Sequence, residues 1–190
     1  MPDSHLSRLI PEFRIKASVL LMRCSQRGVV MRPTEGLRDP LIQAAYWKRS
    51  RNAEEITAEI TGLRSAGAPF LAECLEQVNP QEGPHATNAI PGLSWHQWGE
   101  ALDCVWMAGS RPIWDATVLI NNVNGYQIYG EEAKRLGLDC GLYWSGFTDA
   151  MHVQLRNISS PATIYSLQDI DRQMELSFRH QLEHYDGQLL

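Results

Sequence analysis

Ser94-Trp95-His96-Gln97-Trp98-Gly99-Glu100-Ala101-Leu102-Asp103 is the stretch on which the reading of this chain turns. From Gly99 to Trp106 the residues read as a strand. Ala101, Asp103 and Val105 fall on one face, and Leu102, Cys104 and Trp106 on the other. His96 lies just ahead of the strand, and Gly99 lets the backbone turn between them, so His96 can come back over Asp103. Cys104, beside Asp103, is expected to face away from it. Further along, Asp149-Ala150-Met151-His152 leads into a second short strand over Met151 to Leu155, expected at an edge of the sheet. Together the two stretches offer two imidazoles and a carboxylate for a metal, and a second carboxylate to handle a proton. That is the inventory of a hydrolytic zinc site.

Working outward, Ile10, Phe13, Ala17, Leu20, Leu21 and Cys24 recur at helical spacing, with Pro11 in the first turn and Gly28 beyond the last. Val29-Val30-Met31 reads as a short buried strand that the chain leaves at Pro33. Asp39 and Pro40 then open a helix running to about Lys48. Arg38 is thus fixed on a turn between strand and helix, where its guanidinium can be aimed. Asn52 and Glu55 have capping-box spacing ahead of Ile56, Ile60 and Leu63. Pro69 opens another helix. Residues 79–92, rich in Pro, Gly, Asn and Gln, read as a loop. Ile113 to Ile120 is open between strand and helix. Asn121 to Gly125 is a turn, and Tyr126 to Leu136 a helix stopped by Gly137. Ser166 and Asp169 cap a last helix whose stripe is Leu167, Ile170, Met174, Phe178, Leu182 and Tyr185.

The whole chain of 190 residues is long enough for a sizeable core, and 44% hydrophobic with 21% charged residues is ordinary for a globular protein. Net charge is -5 and no basic run could follow a phosphate backbone, so nucleic acid is not the expected partner. No apolar stretch is long enough to span a bilayer, and Met1 to Arg14 lacks a signal-peptide pattern. Synthesis in the cytoplasm is the expectation, with action on the cell wall after release. Four scattered cysteines, Cys24, Cys74, Cys104 and Cys140, contain no C-x-x-C pair and are expected as reduced thiols. His180 and His184 stand four apart on the last helix but off its apolar stripe, and read as a solvated face.

The pattern Ser94-x-His96-x-x-Gly99-x-Ala101-x-Asp103 followed by Asp149-x-x-His152 resembles the zinc peptidases that cut peptidoglycan stem peptides. These are the D-alanyl-D-alanine carboxypeptidases and dipeptidases and the L-alanyl-D-glutamate endopeptidases of phage endolysins. Gly36-Leu37-Arg38-Asp39-Pro40 with Gln43, and Ala86-Thr87-Asn88-Ala89 to Gly92, resemble two further elements of that family. The resemblance implies Zn2+ as cofactor, with His96, Asp103 and His152 as its ligands. It implies Asp149 as the catalytic carboxylate and Arg38 as the residue that steadies the reacting carbonyl. Ser94 and Trp144 are candidates for positioning substrate. Asp149, one methylene shorter than the glutamate common in the dipeptidases, points away from that branch.

The expectation is therefore an α+β fold, a small, mainly antiparallel sheet flanked by helices with the zinc site in a cleft on it. One peptidase domain is expected over residues 1–190, with a catalytic core to about 160 and a helical extension over 161–190, acting as a monomer. The expected activity is zinc-dependent hydrolysis of peptidoglycan stem peptides, as an L-alanyl-D-glutamate endopeptidase of endolysin type. A D-alanyl-D-alanine carboxypeptidase is the rival enzyme, and a zinc-containing binding module without turnover is the rival from another class.

Overall fold

The computed structural model describes residues 4–187. In chain order its elements are helices α1 (Ser4–Ser7) and α2 (Pro11–Gln26), strand β1 (Val30–Glu35), and helices α3 (Pro40–Lys48), α4 (Ala53–Ser65) and α5 (Pro69–Gln77). Strands β2 (Ala101–Ala108) and β3 (Arg111–Ile113), helix α6 (Gly125–Arg135), strands β4 (Asp139–Cys140) and β5 (His152–Gln154) and helix α7 (Leu167–Glu183) follow. The class is α+β, with a small antiparallel sheet of five strands among the described residues. No helix among them is long and apolar enough to cross a membrane.

The chain divides into two compact units. The first comprises Met1–Leu37 and Trp98–Asn157, the second Arg38–Gln97 and Ile158–Leu190.

The first unit holds the sheet, in the order β1-β2-β5-β4 with β3 also paired to β2. Its core is built from the faces the sequence marks as apolar. Phe13, Ala17, Leu20 and Cys24 of α2 meet Leu102, Cys104 and Trp106 of β2, Tyr126, Tyr129 and Ala133 of α6, and Val153 of β5. Cys104 thus turns to the core, as the alternation along β2 requires. β1 runs on through Pro33 to Glu35, beyond the three residues expected, and Val30 is exposed rather than buried. Proline is tolerated because, among the described residues, β1 pairs with β2 alone, and the register slips between Pro33 and Glu35. β5 is not at an edge. The two residues of β4 pair with it, and a strand that short leaves no periodic signal in the sequence. Gly99 takes φ +66° and its carbonyl accepts from Ile10 N–H at 3.1 Å; a side chain here would press on the Arg8 carbonyl, 3.2 Å away.

The second unit is helical, with α5 packed against α3, α4 and α7. α3 starts where Asp39 caps it, accepting from Leu41 N–H at 2.7 Å, and α4 carries the full Asn52–Glu55 capping box. α5 has no capping side chain of its own, since Ala68 stands at its N-cap. Its ends are served from a distance. The Asp171 carboxylate on α7 accepts from Leu71 N–H at 2.9 Å, and the buried Lys48 ammonium donates to the Val78 carbonyl. Burial pushes the Asp171 carboxyl above its ordinary pKa, against the backbone N–H groups of Leu71 and Phe70 that pull it down. The protonated acid is therefore favoured by folding. That proton-linked part of its contribution is whole below the unfolded value of about 3.9 and is lost as pH rises through the folded value, whereas the hydrogen bond from Leu71 N–H remains at pH 7. Asp171→Ala is expected to cost ~1 kcal/mol by urea unfolding at pH 7. Asp171→Asn, which keeps an acceptor without a buried charge, is expected to be at least as stable as the parent there. Equal stability of the Ala variant and the parent would show that α5 needs no cap.

Candidate metal centre

β2 and β5 run antiparallel in a register that sets Asp103 directly opposite His152, and Ala101 opposite Gln154. Both side chains leave the same face, and His152 Nδ1 lies 2.9 Å from Asp103 Oδ1. The other ring nitrogen of His152, Nε2, is 3.1 Å from the side-chain oxygen of Gln154. His152 is 7% exposed. Burial would lower its pKa, but the Asp103 hydrogen bond and the charges of Asp103 and Asp149 outweigh it, and the net shift is upward.

Asp149 is placed by its own backbone. Its N–H donates to the Gly141 carbonyl at 3.0 Å, and its carbonyl accepts from His152 N–H at 3.2 Å. The carboxylate-bearing residue is thereby tied to a metal-ligand candidate through one turn. Gly141 has no room for a side chain, since a Cβ there would lie 2.3 Å from the Asp149 carbonyl oxygen. Trp144 is partly buried, its indole 5.1 Å from the His152 ring and its N–H donating to Asp139 Oδ2 at 2.9 Å. The tryptophan read as a substrate contact thus also packs on the histidine.

His96 sits on a 3-10 turn, Trp95–Trp98, and is 2% exposed. Trp95 anchors that turn by donating to the Ile158 carbonyl at 2.8 Å. Ser94 starts it, its carbonyl accepting from Gln97 N–H at 3.0 Å and its hydroxyl from His96 N–H at 3.4 Å. Arg38 belongs to the same unit, and its backbone N–H donates to the His96 carbonyl at 3.2 Å. Its guanidinium donates to Gln43 Oε1 at 2.8 Å and lies 5.1 Å from the Tyr46 ring. Gln43 is fully buried and held in turn by the Ala89 carbonyl and the Gln97 amide.

Within the first unit Asp103 and His152 set a carboxylate beside an imidazole, a pair that could share a metal ion, and His96 of the second unit is the further candidate ligand. Two imidazoles and a carboxylate are a donor set that suits zinc and leave a fourth position open. All four cysteines are buried thiols outside any disulfide, and burial lifts those of Cys140 and Cys24 to about 11 and about 12, too high for ready thiolate formation. His180 and His184 stack 4.2 Å apart at the surface, with His184 Nδ1 turned to the His180 carbonyl.

Sequence reading passed over Gln154, Asp139 and Gly141. Gln154 had a signal, since it lies two residues beyond His152 and shares its face of a strand. Asp139 and Gly141 are brought in by tertiary structure and had none.

Residues 87–155 match the family model described as D-alanyl-D-alanine carboxypeptidase. This segment contains His96, Asp103, Asp149 and His152 and leaves out Arg38. It carries the peptidase resemblance read from those residues. No curated protein sequence matches. Among solved structures, the crystal structure of Serratia marcescens L-Ala D-Glu endopeptidase ChiX is similar at 18% identity and a TM-score of 0.42, covering 80% of this chain and 84% of that one.

Proposed function

We propose that this chain is a zinc-dependent peptidase that cleaves peptidoglycan stem peptides, acting as an L-alanyl-D-glutamate endopeptidase. The observation that carries this reading is the Asp103–His152 pair at 2.9 Å across β2 and β5, with Asp149 one turn before His152, inside the segment the peptidase family model matches. His96 is the proposed third ligand. Asp149 in place of glutamate favours the endopeptidase branch.

Zinc, when bound, supplies a Lewis acid and acidifies the attacking water. In this reading the rest falls to the chain. The Asp149 carboxylate accepts the proton of the water and delivers it to the departing amine. Arg38 steadies the charge that grows on the carbonyl oxygen, its guanidinium held in place by Gln43. Ser94 organises the turn under His96, and Trp144 packs against His152.

The test is metal content together with mass spectrometry of fragments released from purified peptidoglycan. One zinc per chain and new L-alanine C-termini with D-glutamate N-termini are expected. The family description favours one rival, a D-alanyl-D-alanine carboxypeptidase. Release of terminal D-alanine with no fall in wall turbidity would establish that rival instead. A chain without zinc that releases nothing would end both.

Gly141→Ala checks the placement of Asp149. The added methyl must push the Asp149 backbone aside. A displacement of about 1 Å can cost ~10²-fold in rate. A fall of that order in kcat, with zinc content kept, is expected. Unchanged kcat would show that the Gly141 contact does not set the position of the carboxylate.

A further inference from the structure

We propose that Gln154 is a positioning residue that decides which nitrogen of His152 faces the metal; this rests on the zinc reading above. The side-chain nitrogen of Gln154 donates to Asp139 Oδ2 at 3.2 Å and to the Arg156 carbonyl at 2.6 Å. Both partners are acceptors, so the amide cannot be flipped without setting its oxygen against two other oxygens. The Gln154 oxygen therefore faces His152, 3.1 Å from Nε2. Nε2 must carry the proton to meet it. In the neutral ring the lone pair then lies on Nδ1, the nitrogen 2.9 Å from Asp103 Oδ1. That nitrogen is the one a metal ion would take together with Asp103, displacing the proton that joins the two in the hydrogen bond.

The surroundings hold the amide in this state. Gln154 is 2% exposed, and the register pairs it with Asp139 across β4 and β5. Asp139 is itself fixed by the Trp144 indole N–H at 2.9 Å. Just beyond, Arg156 is clamped by a two-pronged pairing with Glu100 at 2.5 and 3.1 Å, which anchors the segment whose carbonyl receives the amide. The series Trp144, Asp139, Gln154, His152 thus ends at the ring that receives the metal. Supporting partners of this kind orient a ligand histidine and raise its basicity.

Two measurements test this. In zinc-loaded wild-type protein labelled with nitrogen-15, long-range proton–nitrogen correlation spectra are expected to show His152 protonated at Nε2, with the metal-shifted signal at Nδ1. Competition against a chromogenic chelator is expected to show zinc affinity ~10–100-fold weaker in Gln154→Met, which matches the glutamine in length and cannot hydrogen-bond. Thermal melting of the metal-free variant shows whether it is folded, and if it is not, the spectrum of the wild type decides alone. A wild-type ring protonated at Nδ1, or a folded Gln154→Met that binds zinc as tightly as the parent, overturns the role of Gln154 and leaves the zinc reading standing. A wild-type chain that takes up no zinc overturns that reading first.

Discussion

Asp149→Asn is expected to slow stem-peptide hydrolysis by ~10²–10⁴-fold, the usual worth of a placed general base, while zinc content stays that of the parent. The substitution preserves size while removing the negative charge and, with it, the ability to take up a proton. The backbone of the residue is held by main-chain hydrogen bonds that the substitution leaves in place, from Asp149 N–H to the Gly141 carbonyl and from His152 N–H to the Asp149 carbonyl. The variant should therefore fold and bind metal. It also separates the peptidase reading from that of a binding module without turnover. Such a module would hold zinc and bind wall fragments in both forms, with no products from either. Equal hydrolysis by the two proteins would remove Asp149 from the mechanism.

Where sequence and structure agree, the signal was local. The Phe13-Ala17-Leu20-Cys24 face of α2, the Asn52–Glu55 box of α4, the Asp39 cap of α3 and the Ile170-Met174-Phe178-Leu182 stripe of α7 each depend on residues within a few positions of one another. Where they part, the cause lies far away along the chain. β4 is two residues long and exists because β5 pairs with it, which moves His152 from the expected edge to an interior strand. β1 survives Pro33 because its outer side needs no ladder hydrogen bond. α5 is capped by Asp171, a hundred residues downstream. The candidate site divides in the same way. His96, Asp103, Asp149 and His152 stand out in the sequence because metal and proton chemistry needs those residue types at short fixed spacings. The contacts of Asp139 and Gly141 arise only where the strands pair and the chain turns at Asp149, whereas Gln154 shares the strand face of His152 two residues away.

Asp103→Ala is expected to leave a folded chain that holds no zinc after dialysis and has no measurable peptidase activity. The backbone reasons for folding survive the change. The Asp103 carbonyl accepts from the Thr34 hydroxyl at 3.2 Å, and the pairing of β2 with β1 and β5 runs through main-chain groups. What goes is the sole carboxylate of the proposed donor set, the charge that complements the ion and the partner that holds the His152 ring. Affinity for zinc should fall further than the ~10–100-fold that follows loss of a supporting hydrogen bond, because a ligand itself is removed. The metal-free protein should also lose ~1.5–3 kcal/mol of stability, the worth of a hydrogen bond to a charged partner on a buried ring. Asp149→Asn and Asp103→Ala thus fail differently, one with its metal and one without it. Zinc retained at parental affinity in folded Asp103→Ala would mean that the ion, if there is one, binds elsewhere, and the proposed hydrolase would lose its centre.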